Sequence, residues 1–237
     1  MLIAGFIGYA TTSQDHATSA KAATSPTRPG PSTTPSTPAD PIAAALGHVV
    51  LQPNDVPPSQ SVKLIPNGNQ LNQPTLDLCN GTFASETLRN ARLQVAAVDA
   101  QGRVTVSTEA VLYRNADATV QAFAEIRKIA AQCPSTPVPS RVGEPTVTTK
   151  FNAAPDTTWP QRANVDRLAY DVVSSAPQTG PVHSTVVYLR RGRILLGIYF
   201  TLPAGTRTPI AHNTTIPGVV ASFESRVGHL PSSLVAG

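Results

Sequence analysis

Sulfur and charge are both scarce in this sequence of 237 residues. It has two cysteines, Cys79 and Cys133, and charged residues make up only 14% of the chain, against about a quarter in an average globular protein. Two sulfur atoms are too few for a structural zinc site, which uses four ligands, and the two cysteines lack the C-x-x-C spacing of a redox pair. The possibility that one cysteine is a catalytic nucleophile stays open, although Cys79 has no obvious partner base.

The short motifs of catalysis and cofactor binding are also missing. The chain contains no G-x-S-x-G, no H-E-x-x-H, no P-loop and no G-x-G-x-x-G. We therefore expect no cofactor and no enzyme activity. The histidines lie far apart in sequence, so a hydrolase would have to assemble its site from distant residues, with His183 or His212 as the base. That alternative stays open.

Aromatic residues make up only 5% of the chain, and the basic residues that give it a net charge of +4 are scattered. Proteins that bind nucleic-acid strands combine basic side chains with aromatic stacking surfaces. We therefore expect no nucleic-acid partner. A mild positive charge fits loose contact with an anionic cell-envelope or membrane surface equally well.

The first forty residues differ from the rest in composition. Residues 1–10 are apolar but too short to span a bilayer, and we interpret them as the end of an export signal or a membrane anchor. Residues 11–40 are rich in Ser, Thr and Pro without a hydrophobic period, which predicts a disordered linker. A single domain is expected over residues 41–237. The protein would then be extracytoplasmic, either secreted or anchored to the cell membrane through its N-terminus.

Hydrophobic periodicity predicts an α+β domain with an antiparallel sheet and helices packed on one side. A helix capped by Asn115 or Asp117 follows the hairpin of RLQVAAV and RVTVSTEAVLYR, with Val120 and Phe123 among its apolar positions. A second helix covers residues 216–228. The nearly continuous apolar run RILLGIYF predicts a central strand buried on both faces.

The two cysteines fit a structural disulfide. Their number is even, the N-terminus resembles that of an exported protein, and they stand just before the first hairpin and at the end of the first long helix. If that helix packs back across the hairpin, its end returns to the point where the chain entered. A bridge would close a loop of about 55 residues and add roughly 4 kcal/mol of stability.

Six side chains are candidates for ligand contact. Glu109 and Asp171 lie in predicted strands, where a carboxylate facing a groove would bind a ligand, although strand alternation favours the solvent face. The only tryptophan lies in a loop and more often caps the edge of a core than stacks on a ligand. The three arginines form a hairpin tip for which a solvated turn is the simpler interpretation. The candidates are Glu109, Trp159, Asp171, Arg190, Arg191 and Arg193.

The pattern of motifs resembles the extracellular sensor domains of mycobacterial serine/threonine protein kinases and related actinobacterial exported proteins and lipoproteins. The residues that carry the resemblance are Asp77, Cys79, Ala122, Phe123, Cys133 and the segment 219–226, together with the opening VVLQPNDVPP. The resemblance covers roughly residues 45–230. It implies an antiparallel sheet flanked by helices, a groove for an unknown ligand and an envelope location.

Two departures from that pattern favour a stand-alone exported protein over a signalling kinase. The kinase sensors usually have two disulfides, whereas only one can form here, and no kinase sequence stands ahead of the linker. We expect a monomer that binds a small or lipid-like envelope ligand without enzymatic turnover. Two alternatives to this binding domain stay open: the hydrolase described above, and an accessory protein that docks on another envelope protein.

Overall fold

The structure, a computed structural model, describes residues 41–140, 143–154, 156–176, 179–201 and 209–236. The expected signal or anchor and the linker lie outside these ranges. So does Asp40, which the sequence predicts as the cap of a short helix over PIAAALG. No helix in the described part of the chain is long and apolar enough to cross a membrane. The helices are α1 (Pro41–Val49), α2 (Ala116–Ala131), α3 (Ile216–Gly228) and α4 (Ser232–Val235).

All the described strands belong to one antiparallel sheet in the order β1-β2-β3-β8-β7-β6-β5-β4. They are β1 (Gln60–Leu64), β2 (Arg89–Asp99), β3 (Val104–Tyr113), β4 (Val138–Ser140), β5 (Gly143–Ala153), β6 (Asp166–Ala176), β7 (Thr179–Arg191) and β8 (Ile194–Phe200). The chain leaves β3, builds the second half of the sheet and returns with β8 beside β3. Every residue of β8 is buried, which confirms its predicted central place.

The α+β class and the antiparallel sheet are confirmed, but the helices do not all pack on one side. On one face α1 and α3 enclose a core that includes Leu112, Leu196 and Phe223. On the other face α2 covers a core that includes Tyr113 and Phe123. Because successive strand residues point to opposite faces, the central strands supply apolar side chains to both cores. If all helices packed on one side, the second face of the sheet would be exposed to solvent. In the structure α2 covers that face.

The two long helices begin where their sequences predict. The Asn115 side chain accepts a hydrogen bond from the Ala118 N–H at 2.9 Å, which decides between the two expected caps of α2. Thr215 caps α3, and Val220, Phe223 and Val227, which recur at helical spacing in the sequence, form its buried stripe. Val120 of α2 is wrong as a core position, since it is 48% exposed.

The segment between α1 and β2 departs most from the sequence interpretation. The proline-broken apolar sequence of residues 48–66 predicts a strand along an edge of the sheet. In the structure α1 extends to Val49, and only β1 pairs with the sheet, as an edge strand. A 3₁₀ turn over Pro53–Asp55 places Asp55 against α3, where Arg226 donates to its Oδ2 at 2.7 Å. Residues 65–83, which we call the cover segment, then cross β2 without regular secondary structure.

The expected disulfide is present and holds the cover segment. Cys79 bonds to Cys133, just beyond the end of α2, across a sequence separation of 54. Leu76, Leu78 and Phe83 of the cover segment are buried in the same core as α2. The bridge therefore fastens this irregular segment to the α2 face of the sheet.

Candidate functional site

Four polar side chains lie buried beneath the cover segment on the α2 face of β2 and β3. Gln94 of β2 pairs directly with Glu109 of β3, and Ser107 lies two residues further along β3 on the same face. Arg92 precedes Gln94 by two residues and shares its face. All four are buried, Glu109 at 1% exposure and Arg92 at 4%. We call Arg92, Gln94, Ser107 and Glu109 the polar cluster.

The Arg92 guanidinium group occupies the centre of the polar cluster. Its Nε donates to Glu109 Oε1 at 2.8 Å, and its Nη2 lies 2.6 Å from the same oxygen. Nη2 also donates to Gln94 Oε1 at 3.1 Å. Nη1 donates to two backbone carbonyls of the cover segment, those of Gln70 and Asn67, at 3.1 and 3.5 Å. Arg92 thus links the two strands to the segment above them.

Three atoms of the polar cluster are left without a hydrogen-bond partner among the described residues. They are the amide nitrogen Nε2 of Gln94, the hydroxyl oxygen of Ser107 and the second carboxylate oxygen Oε2 of Glu109. Directly paired side chains on antiparallel strands stand about 5 Å apart at Cβ and diagonal ones about 7–8 Å. A buried polar atom without a partner costs about 1–3 kcal/mol. Three such atoms therefore share one small region of the sheet, whereas the other unpaired buried atoms of the described strands, on Tyr113 and Arg190, occur singly.

The cover segment is fixed above the cluster by a second arginine. Arg89 donates from Nη1 to the Gln73 carbonyl at 2.8 Å and to the Thr75 hydroxyl at 2.7 Å, and from Nη2 to the Leu71 carbonyl at 2.7 Å. Glu86, which pairs with Arg89, accepts the N–H groups of Thr75 and Leu76. Beyond the two backbone hydrogen bonds that Ile65 and Gly68 make with Gln94 of β2, polar contacts with side chains thus hold this segment.

Burial changes the acidity of Glu109. Removal from water raises the pKa of this carboxyl group from 4.5 to about 7, although the Arg92 charge and hydrogen bond and the Thr75 hydroxyl act in the opposite direction. The group therefore changes charge near neutral pH.

A glycine of β8 brings a tyrosine ring against the cluster. Gly197 pairs with Glu109 on one side and with Tyr188 on the other. A Cβ atom at Gly197 would stand 2.6 Å from the Tyr199 hydroxyl and 2.9 Å from two of its ring carbons. Since glycine has no Cβ, the Tyr199 ring lies over this position and forms an edge contact with Tyr188 at 6.1 Å between ring centroids. The polar cluster thus has an aromatic surface beside it.

The candidate residues expected from the sequence are spread over the domain. Glu109 is buried in the polar cluster, so the interpretation that alternation places it on a solvent face is wrong. Trp159 packs against the opposite core, with the Arg167 guanidinium 5.5 Å from its ring centroid, and this confirms it as a core-edge residue. Asp171 is exposed on β6 and accepts a hydrogen bond from Thr185 at 3.2 Å. Their contact with a ligand stays a prediction.

The three arginines of the β7–β8 turn bind protein groups, so the solvated tip is a wrong description. Arg190 pairs with Asp166 and lies 5.7 Å from the Phe123 ring centroid. Arg191 donates to two carbonyls at the end of α3, and Arg193 donates to the Leu234 carbonyl. A positively charged side chain is favourable at a helix C-terminus, where carbonyl groups lack helical partners and carry partial negative charge. The turn thus joins the C-terminal helices to the sheet.

Sequence reasoning missed Arg92, Gln94 and Ser107. A signal was present, because Arg92 and Gln94 alternate with apolar residues in RLQVAAV, and Ser107 and Glu109 stand two residues apart on one face of the strand RVTVSTEAVLYR. Two polar faces on paired strands meet when the strands form a hairpin. Nothing in the sequence indicates that the cover segment would bury this shared face.

Among the described residues no group of three or more His, Cys, Asp or Glu side chains is placed to hold a metal ion.

Comparisons with known proteins add little beyond the fold. No protein-family model matches the chain, and no curated protein matches it significantly. Among solved structures, the chain resembles the extracellular domain of PknH from Mycobacterium tuberculosis, with a TM-score of 0.37 and 11% identity over 72% of this chain and 79% of that one. The expected likeness to sensor domains is therefore supported only as a weak similarity of fold, from which nothing follows about function.

Proposed function

We propose that this protein is an extracytoplasmic, non-enzymatic binding domain that receives the polar end of a small ligand at the polar cluster, beneath the cover segment. The observation that carries the proposal is the set of three unpartnered buried atoms on Gln94, Ser107 and Glu109. Buried polar groups in native proteins are nearly always hydrogen-bonded. A ligand group that met all three at once would remove the cost of leaving them unpaired.

The cover segment supports the same proposal. An irregular stretch of 19 residues in a compact domain exceeds the usual length of a loop, and such segments are usually functional. Most of residues 66–74 are exposed, whereas residues 75–79 are buried and end at the disulfide. A ligand would therefore enter by opening the first half, which is attached through hydrogen bonds to Arg89 and Arg92, while the second half stays attached to α2.

The disulfide supports the proposed location. Such bridges form and persist in oxidising compartments outside the cytoplasm. In a domain that binds ligands there, Cys79–Cys133 keeps one end of the cover segment in place.

Native mass spectrometry tests the proposal. The protein is incubated with a bacterial cell-envelope extract, and its native mass is compared with its denatured mass. We expect an added native mass that disappears on denaturation and is strongly reduced in Ser107→Ala. Ser184→Ala is the matched control, since Ser184 is a buried serine of the same sheet that lies outside the cluster.

Two results would contradict the proposal. One is an added mass that Ser107→Ala and Ser184→Ala retain equally, which would place the ligand elsewhere. The other is turnover of a substrate in a broad esterase and peptidase screen, lost on a single substitution such as His183→Ala or His212→Ala. That outcome would favour the hydrolase over the binding domain.

A further inference from the structure

We propose that the ligand group received by the polar cluster is an uncharged hydroxyl, as in an alcohol or a sugar, in preference to an anion or an ammonium group. This inference rests on the proposed function, because it assigns the chemistry of the same site. It follows from the donors and acceptors that the cluster leaves free and from those that it has already used.

The free atoms of the cluster match the hydrogen-bonding capacity of one hydroxyl group. Gln94 Nε2 can only donate, because Gln94 Oε1 accepts from Arg92 and so fixes the orientation of the amide. Glu109 Oε2, when ionised, can only accept, and the Ser107 hydroxyl can do both. A hydroxyl has one donor and two acceptor positions. It can therefore donate to Glu109 and accept from Gln94 and Ser107 at the same time.

Anionic groups are disfavoured because the only cation of the cluster is already engaged by protein groups. Arg92 has five N–H groups. Four make hydrogen bonds, from Nε to Glu109, from Nη2 to Gln94 and from Nη1 to the carbonyls of Asn67 and Gln70, and Nη2 also lies 2.6 Å from Glu109 Oε1 as an ion pair. A carboxylate or phosphate would also face the Glu109 carboxylate. Burial without a paired cation is costly for such a charge.

An ammonium group matches the cluster poorly for the opposite reason. It could donate to Glu109 and Ser107, but it has no lone pair to accept from Gln94 Nε2. It would also lie close to the Arg92 guanidinium, which is 2.6 Å from Glu109 Oε1. A second buried cation beside the first gains little from a carboxylate that Arg92 already neutralises.

The surroundings of the cluster suit the carbon skeleton of an alcohol. The Tyr199 ring lies over Gly197, the β8 partner of Glu109. Burial raises the pKa of the Tyr199 hydroxyl well above its ordinary value, so it brings no negative charge to the site. An aromatic face beside a small polar group is the usual composition of a site for small molecules.

A matched set of three probes tests the inference by NMR. The probes are 1-propanol, propylammonium and propionate, which share a carbon chain and differ in the polar group. The signal followed is the side-chain amide of Gln94 in the oxidised full chain at pH 8. We expect 1-propanol to shift this signal saturably, and the two charged probes to bind at least 10-fold more weakly. Ser107→Ala should weaken 1-propanol binding about 5–10-fold, and Ser184→Ala should leave it unchanged.

The outcomes separate the two proposals. Equal or tighter binding of a charged probe, with loss in Ser107→Ala, would overturn the hydroxyl assignment and leave the binding function standing. If no probe shifts the Gln94 signal, and cross-relaxation with solvent shows a long-lived water beside that amide, the cluster holds a structural water. Both proposals would then be overturned, since a buried water satisfies the same three atoms.

Discussion

On folding, the Glu109 carboxyl group moves from water into the protein interior, where it contacts Arg92. Its pKa in the folded protein, about 7, lies above the value of 4.5 that it has when exposed. The folded state therefore binds this proton more tightly than the unfolded state. The resulting stabilisation is complete below pH 4.5 and is lost as the pH rises through 7.

The substitution Glu109→Gln tests this direction. We expect the free energy of unfolding of the wild type to fall between pH 5 and pH 8 relative to that of Glu109→Gln, by up to about 3 kcal/mol at roughly 1.36 kcal/mol per pKa unit. Urea unfolding at several pH values measures it. Asp171→Asn, at an exposed carboxylate, should keep the wild-type slope. If the stability of the wild type relative to Glu109→Gln rises between pH 5 and pH 8, the pKa shift has the opposite sign.

Gly197 gives a second prediction at this scale. Gly197→Ala should destabilise the protein by about 1–3 kcal/mol, because the added Cβ must displace the buried Tyr199 ring. Thermal and denaturant unfolding measure the change. Gly47→Ala in α1 is the control, since nothing stands within 4 Å of its Cβ position and alanine favours a helix by up to about 1 kcal/mol. A neutral Gly197→Ala would mean that the ring does not pack there.

At the scale of elements, the cover segment depends on its attachments because it lacks the regular hydrogen bonds of a strand or helix. Arg89, Arg92 and the disulfide hold it at different points along its length. An element held in this way opens locally at lower free energy than the sheet beneath it. The exposed half, residues 66–74, should exchange its amide hydrogens faster than β8.

Removal of the disulfide tests the attachment. The double substitution Cys79→Ala and Cys133→Ala should lower the free energy of unfolding by about 4 kcal/mol, as expected for a loop of this length. Hydrogen exchange should also rise first in the cover segment. The wild type under a reducing agent should match the double variant. An unchanged stability would show that packing of the cover segment against α2 suffices without the bridge.

The elements differ in how far the sequence predicts them. α2, α3 and β8 follow from local patterns, since periodicity and capping residues act within a few positions. The cover segment has no period, so its path depends on contacts with β2 that lie 20 or more residues away in sequence. The same dependence explains why the burial of Glu109 was not predicted. Alternation shows that Glu109 faces away from Leu112, but whether that face is exposed to solvent depends on the cover segment, which is distant in sequence.

At the scale of the whole molecule, α3 is joined to two distant parts of the chain by ion pairs. Arg226 pairs with Asp55, and Glu224 accepts from Arg167 at 2.6 Å. Arg167 also donates to Asp156 and lies over Trp159. These contacts join the first and last segments of the domain to the loop before β6. These ion pairs fasten the elements on the α1 face to one another, and the disulfide fastens the cover segment on the α2 face.

Arg167→Ala should destabilise the protein by about 3–5 kcal/mol, because it leaves the buried Glu224 carboxylate without its charged partner and with only the Arg162 N–H at 3.2 Å. The matched surface change is Arg103→Ala, whose side chain is 75% exposed beside Asp99. That pair is screened by solvent, so its loss should destabilise the protein far less than the loss of Arg167. Denaturant unfolding of both variants compares them. Equal losses of stability would mean that the Arg167–Glu224 ion pair stabilises the protein no more than the exposed Arg103–Asp99 ion pair.

The placement of α1 and the cover segment on opposite faces fixes how the domain is presented when it is held by one end. The first described helix, α1, packs on the α1 face of the sheet. A support attached directly ahead of Pro41 would therefore stand on the face opposite the cover segment. The exposed amines of Lys63, whose strand partner is Ala96, and of Lys128 on α2 lie on the same side of the sheet as the cover segment. Immobilisation through these lysines would bring the support to that side, so coupling ahead of Pro41 is the better choice for a binding sensor.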